Sequence, residues 1–174
     1  MTSTAPAQTG VNNTLPADQR QYLMFMLGQE TFALGILRIK EILEYQAPTE
    51  VPMMPAFIRG IINLRGAVVP VIDLSARFGR SAAAVTKKTC IVILETKVDD
   101  ERQVLGLVVD AVNEVLEIPQ HDVEPPPSFG VSVRTDFIEG MGKVRDEFVI
   151  ILNVDSVLSI HDMASIGSVI RDNT

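Results

Sequence analysis

The sequence repeats one ordered set of segments, and this duplication limits the fold more than any other feature. FIRGIINLRGAVVPVIDL, residues 57–74, is matched 80 positions later by residues 137–154. FALGILRIKEIL, residues 32–43, lies over residues 105–116 at an offset of 73. An ordered match through several segments indicates an internal duplication, so one β-rich unit is predicted to occur twice. The matched residues include Phe57, Ile58, Gly60 and Arg65 with Phe137, Ile138, Gly140 and Arg145, and Glu41 with Glu114.

The two repeats are small and unequal in length. The offset grows from 73 to 80, so the second copy carries a seven-residue insertion around residues 125–131. A unit of roughly 65 residues buries only about 60% of the surface that its unfolded chain exposes. The two units are therefore predicted to pack on each other through a shared apolar seam.

Residues 57–74 have the pattern of a β-hairpin. Two apolar runs, residues 58–64 and 67–74, flank Arg65-Gly66, and glycine supplies the positive φ that a tight reversal needs. Arg65 is predicted to lie at or beside the tip. Pro70 lacks a backbone N–H, which indicates an edge strand or a bulge.

The remaining elements follow from similar signals. Residues 21–28 and 31–36 predict another hairpin, and the three prolines within residues 44–56 predict an extended loop. Residues 36–44 fit a helical stripe, although one helical turn followed by a strand is the alternative. Residues 75–79 predict a helical turn that Ser75 caps and Gly79 ends.

These elements predict a mainly all-β chain of two small closed barrels related by the duplication, with short helical turns. About five short strands per copy, with frequent turn signals, favour small closed barrels, and closure removes exposed strand edges. The expected limits are a disordered tail over residues 1–19, a first barrel over about 20–85 and a second over about 86–160, alternatively with strands exchanged between them. Residues 161–174 are expected to form a C-terminal helix and tail.

The residue chemistry does not favour catalysis. No metal-ligand, nucleophile or phosphate-loop spacing is present, and His121 and His161 are expected at the surface. Asp73 and Asp110 are isolated carboxylates in apolar runs and are expected to accept bonds from backbone N–H groups. Cys90 is expected to be a small buried hydrophobe. We therefore predict no enzyme activity, catalytic residue, metal or cofactor.

Charge and hydropathy exclude further classes of partner. The net charge of −7 and an aromatic content of 5% argue against nucleic-acid binding. No apolar run reaches the roughly 18 residues of a spanning helix, and no secretory signal is visible, so a cytoplasmic protein without membrane insertion is expected.

Partner binding is what remains. Arg65 is either a solvated turn residue or an interface anchor, because arginine is enriched among binding hot spots. Phe129 follows three prolines and is either tucked over a barrel or held out as an apolar contact. Ile39 and Val115 are either core residues or the lining of a groove between the barrels, where a partner helix fits.

Several segments together resemble the CheW-type coupling proteins of bacterial chemotaxis. These segments are QYLMFMLGQETFALGI, KEIL, PxxPxFIRGIINLRGAVVPVIDL and GLVVDAVNEVLEI, and the similarity covers about residues 20–160. The resemblance implies a pair of intertwined SH3-like barrels that act as a non-enzymatic adaptor between chemoreceptors and the histidine kinase CheA, in arrays at the membrane. A coupling protein of another chemosensory pathway, serving pili or gliding, is the alternative.

The resemblance also implies a set of contact residues. The positions that match family contacts with kinase or receptor are Ile39, Glu41, Gly60, Arg65, Gly66 and Val115, and the resemblance does not divide them between the two partners. Phe129 matches an aromatic residue that resembles the contact closing kinase–adaptor rings.

Overall fold

The computed structural model describes residues 19–98, 100–127 and 133–158. Within these ranges the chain is built almost entirely from β-strands. In chain order they are β1 (Gln19–Leu27), β2 (Glu30–Gly35), β3 (Ile39–Glu44), β4 (Ile58–Leu64), β5 (Ala67–Asp73), β6 (Cys90–Val98), β7 (Glu101–Val109), β8 (Ala111–Pro119), β9 (Val123–Glu124), β10 (Ile138–Val144) and β11 (Glu147–Leu152). Short helices are α1 (Leu74–Arg77) and α2 (Val154–Val157), with 3-10 turns at Ile36–Arg38, Gln120–Asp122 and Thr135–Phe137.

The strands form two sheets of SH3-like barrel architecture. Barrel one has the strand order β3-β6-β7-β5-β4 and includes α1. Its two edges meet where Thr49, just after β3, forms a bridge to Ile61 in β4. Barrel two has the order β9-β10-β11-β2-β1-β8 and includes α2. Here β9 follows β8 after a single 3-10 turn and pairs with β10, so the chain itself connects the two edges.

The duplication is visible in the strand registers. Val71 of β5 pairs in parallel with Gly106 of β7, and Ile151 of β11 pairs in parallel with Ala33 of β2. These pairs are related by the same offsets of 80 and 73 that relate the sequences. Both barrels also carry an irregularity at the start of the matched hairpin, between Ile58/Gly60 and Ile138/Gly140.

Each sequence repeat contributes strands to both barrels. The hairpin β1–β2 precedes barrel one in the sequence but pairs with β8 and β11 of barrel two. Its counterpart β6–β7 in turn pairs with β3 and β5 of barrel one. A division of the sequence near residue 85 therefore does not divide the two sheets.

The predicted shared seam is the largest apolar cluster in the described residues. It joins side chains of both barrels, and a row of stacked or tilted phenylalanines runs through it. Ring centroids are 5.6–5.9 Å apart along the series Phe25, Phe32, Phe78 and Phe137. Two smaller clusters fill the interior of barrel two and barrel one, respectively.

Three local predictions need correction or a choice between alternatives. Pro70 is not on an edge strand, because β5 lies between β7 and β4; the parallel pairing with β7 starts only at Val71. Asp73, not Ser75, caps α1, since its side chain accepts the Ala76 N–H. Residues 36–44 take the alternative form, a 3-10 turn followed by β3.

The chain ends lie mostly outside the described residues. β1 already begins at Gln19, although the sequence predicts that the disordered tail includes this residue. Residues 1–18 and 159–174, including the predicted C-terminal helix beyond α2, lie outside the described ranges.

Candidate partner-binding surface

The β4–β5 hairpin presents Arg65 at its tip. Arg65 and Gly66 form the two-residue turn and have φ values of 53° and 86°. The Gly66 N–H donates to Asn63 Oδ1 at 3.0 Å, which holds the turn closed. A Cβ at Gly66 would meet no atom within 4 Å, so glycine serves the backbone conformation here and not close packing.

Arg65 forms a two-pronged ion pair with Glu41. Its Nη1 and Nη2 donate to Glu41 Oε2 and Oε1 at 2.6 and 2.8 Å. The pair links β3 to the tip of the β4–β5 hairpin, and β3 and β4 are the two edge strands of barrel one. The hydrogen bonds from Arg65 hold the pKa of Glu41 below its ordinary value, and Glu41 raises the pKa of Arg65. Because 70% of the Arg65 side chain remains exposed, the guanidinium is oriented and still accessible.

Gly60 has a structural reason to lack a side chain. It is buried in β4 with φ of 146°, and a Cβ would lie 2.1 Å from the Thr49 carbonyl oxygen. Thr49 and Ile61 exchange two backbone hydrogen bonds of 2.8 and 2.9 Å at this point. The absence of a side chain therefore allows the edges of barrel one to meet.

Barrel one also exposes apolar side chains. Ile42 of β3 is 42% exposed and Val68 of β5 is 36% exposed. Ile39, in contrast, is partly buried against the seam, as is its counterpart Val112. Val115 of β8 is 51% exposed and corresponds to Ile42, not to Ile39. Ile39 and Val115 thus occupy non-equivalent places, one in the seam and one on the surface of barrel two.

A second ion pair lies at the equivalent place on barrel two. Arg145, in the β10–β11 turn, has φ of 50° and places Nη1 3.0 Å from Glu114 Oε2 on β8. Glu114 and Arg145 each match a residue of the first repeat in the sequence, but a bond between them was not among the predictions. Applying the offset of 73 to Glu41 and of 80 to Arg65 identifies this pair directly from the sequence.

The buried carboxylate of Asp73 is fully engaged. Its oxygens accept the N–H groups of Ala76 at 3.1 Å and Ala83 at 3.0 Å, as predicted, and also pair with Arg59 at 2.9 Å. Arg59 in turn donates to Tyr45 and to the Ala83 carbonyl. These bonds attach the segment between the repeats, at Ala83, to barrel one, so the role of Asp73 is structural.

The other ionisable candidates show no convergent arrangement. Asp110 accepts the Gly28 N–H at 2.7 Å, as predicted for a bond to backbone. Cys90 is only partly buried, and its burial together with Glu44 raises the pKa of the thiol. His121 is exposed, and His161 lies outside the described residues. Over residues 19–98, 100–127 and 133–158, no group of three or more potential ligand side chains is placed to hold a metal ion.

Two further points concern the predicted partners. Phe129 lies outside the described residues, so the structure does not place it. No helix in the described part of the chain is long and apolar enough to cross a membrane.

Comparison with known proteins agrees with this architecture. The sequence-family model of the CheW-like domain matches residues 21–161 of this chain. The chain is 31% identical over 154 residues to the chemotaxis protein CheW of Klebsiella aerogenes, covering 88% of this chain and 90% of that protein. It is 35% identical over 138 residues to CheW of Helicobacter pylori, covering 79% and 81%. The crystal structure of a scaffolding protein, CheW of Thermoanaerobacter tengcongensis, matches with a TM-score of 0.75 and 34% identity, covering 90% and 96%. The chain therefore belongs to the CheW-like family of chemotaxis scaffold proteins, which are not enzymes.

Proposed function

We propose that this protein is the adaptor that couples the cytoplasmic tips of methyl-accepting chemoreceptors to the regulatory domain of the histidine kinase CheA. Its place would be in receptor arrays at the cytoplasmic side of the membrane. The observation that carries the proposal is the Arg65 guanidinium, which Glu41 orients while 70% of the arginine side chain stays exposed. Arginine is enriched among binding hot spots, and an arginine that is both ordered and accessible suits that role.

The surface around Arg65 suits a helical partner. A receptor tip is a helical hairpin with an apolar stripe, and Ile42 and Val68 are exposed on the same barrel as the arginine. Arg65 and Glu41 would then contribute orientation and specificity more than affinity. Gly60 and Gly66 support this surface through the barrel closure and the turn. Ile39, Val115 and Phe129 remain proposed contacts of the same adaptor.

The test is the formation of a ternary complex by the full chain. The chain is mixed with the CheA regulatory domain and with a receptor-tip fragment, separately and together, and the complexes are measured by analytical ultracentrifugation. The proposal expects both binary complexes and one complex that contains all three proteins. Binding to neither protein would contradict it.

The alternative is the same coupling role in a chemosensory pathway that governs pili or gliding. In that case the chain would bind the kinase and receptors of that pathway in preference to those of flagellar chemotaxis. A competition between the two kinase domains for the chain separates the pathways.

A further inference from the structure

A polar cavity of about 660 Å³ lies where the β6–β7 hairpin of barrel one meets α2 of barrel two. Small-molecule sites in proteins usually measure about 300–1,000 Å³, so this cavity is large enough for a small ligand. All but one of its lining residues are polar or charged, and they include Arg38, Thr96, Lys97 and Arg102. None of the lining residues is aromatic, so a ligand would be held by charge and hydrogen bonds and not by stacking.

The two carboxylates that line the cavity are already engaged with cations. Asp155 accepts two hydrogen bonds of 2.9 Å from Arg38, which neutralises both side chains. Glu95 lies 3.6 Å from the Lys40 ammonium and 3.9 Å from Arg102 Nη1. One carboxylate therefore faces two cations at this place, and positive charge remains uncompensated.

Lys97 and Arg102 form a pair of like charges across the β6–β7 hairpin. They are direct partners in the antiparallel ladder. Like charges directly opposite on neighbouring strands destabilise a sheet. In the part of the chain that the structure describes, no carboxylate forms an ion pair with Lys97, and Asp100 and Glu101 in and after the turn pair with neither cation. The cavity is therefore bordered by a repulsive cationic pair, in a chain whose net charge is −7.

From the cavity and this cationic pair we propose that the cleft between the β6–β7 hairpin and α2 binds a small, phosphate-bearing anion, with Lys97 and Arg102 as its main contacts. An anion between the two cations replaces their repulsion by two attractive contacts. The arginine fork matches phosphate oxygens, and the lysine ammonium acts as a point charge. A phosphate group also places close to two charges on one compact centre, which suits two adjacent cations. The proposal does not rest on the adaptor function, because no partner contact enters it.

The experiment titrates the full chain with sodium pyrophosphate by calorimetry at about 50 mM NaCl, where charges are only weakly screened. The double variant Lys97→Gln/Arg102→Gln removes both cations from the cavity. The matched control is Lys87→Gln/Lys88→Gln, which removes the same charge from exposed residues that precede the opposite end of β6. Circular dichroism checks that each variant folds.

We expect the parent chain to bind one pyrophosphate, the Lys97→Gln/Arg102→Gln variant to bind it about 30-fold more weakly, and the matched control to stay within about twofold of the parent. Thermal melting gives a second readout. Without pyrophosphate, Lys97→Gln should melt about 1 °C above the parent, because it removes the like-charge contact. With pyrophosphate at about 100 times its dissociation constant, the parent should gain about 5 °C and the double variant less than about 1 °C.

Three results would overturn the proposal. The first is a parent chain that gives no saturable heat with pyrophosphate. The second is a matched control that loses as much affinity as the Lys97→Gln/Arg102→Gln variant, which would show attraction by overall charge and not a site. The third is a Lys97→Gln chain that melts below the parent, which would contradict the repulsion from which the site is inferred.

Discussion

Arg77, the last residue of α1, donates a hydrogen bond of 2.8 Å from Nε to the carbonyl oxygen of Val157, the last residue of α2. The two positions are related by the repeat offset of 80. The Arg77 guanidinium also lies over the rings of Phe57 and Phe137, at 5.0 and 4.8 Å, and these two are equivalents as well. One arginine thus joins matched residues of the two repeats where the barrels meet.

Replacing Arg77 should destabilise the joint between the barrels. Cation–π contacts contribute about 0.5–2 kcal/mol to stability, and a hydrogen bond from a charged donor contributes about 1.5–3 kcal/mol. The free energy of unfolding of Arg77→Met should therefore be about 2–3 kcal/mol lower than that of the parent. Arg77→Lys, which keeps the charge but not the planar fork, should lose less. Urea unfolding monitored by circular dichroism measures both variants. Equal stability of Arg77→Met and the parent would contradict this assignment.

Breaking the buried pair of Arg59 and Asp73 from one side should be costly. Asp73 is 1% exposed, so Arg59→Met leaves a buried carboxylate without its cation and should cost about 3 kcal/mol or more. The double variant Arg59→Met/Asp73→Asn removes the charge too, and asparagine already occupies the equivalent position 153. It should therefore be more stable than the single variant in the same urea titration. A double variant less stable than Arg59→Met would show that the carboxylate does not depend on the arginine.

The two glycines of the barrel-one hairpin should respond differently to alanine. Gly60→Ala places a Cβ 2.1 Å from the Thr49 carbonyl and should prevent closure of barrel one, with a loss of about 3 kcal/mol or more. Gly66→Ala meets no atom and should cost only about 1 kcal/mol, for the left-handed backbone. Thermal melting of both variants checks the difference. Comparable losses at the two positions would be inconsistent with the geometry.

Acid should remove the contribution of the pair formed by Arg38 and Asp155. Two hydrogen bonds of 2.9 Å from Arg38 hold the pKa of Asp155 below its ordinary value. The stabilisation is present above the unfolded-state pKa of about 3.9 and is lost as the pH falls through the lower native value. The stability difference between the parent and Arg38→Met should therefore narrow between about pH 6 and about pH 3. Asp155→Asn should show the same narrowing in urea titrations, and a difference independent of pH would contradict the linkage.

The sequence predicts the local elements and the duplication because these depend on nearby residues. The structure contains the matched hairpins, the shared seam and the bonds from backbone N–H groups to Asp73 that the sequence predicts. Strand exchange is different: each repeat has an equivalent set of strands, so the apolar pattern is satisfied by pairing either within or between repeats. Only the tertiary structure shows which pairing occurs.

Some features of the candidate site can likewise be predicted from nearby residues, and others depend on the tertiary structure. The tip position of Arg65 follows from the Arg-Gly turn, whereas its bond to Glu41 depends on closure of the barrel, which brings together residues 24 positions apart. The partnership of Arg145 and Glu114 follows once that first pair is known. Ile39 and Val115 are both apolar, so the sequence alone does not distinguish them. The structure does, because Ile39 packs against the seam and Val115 is exposed on barrel two.

The most direct test of the adaptor surface is the charge reversal Arg65→Glu, measured by titration calorimetry against the CheA regulatory domain and the receptor-tip fragment. Arg102→Glu is the control, because Arg102 is an arginine of the same barrel that is also exposed and lies near a glutamate. The double variant Glu41→Arg/Arg65→Glu restores an ion pair with the charges exchanged, and so separates folding from docking.

We predict that Arg65→Glu stays folded and loses about 30-fold in affinity for at least one of the two proteins, that Arg102→Glu stays within about twofold of the parent, and that the double variant does not recover binding. Unchanged affinity of Arg65→Glu for both proteins would contradict the account.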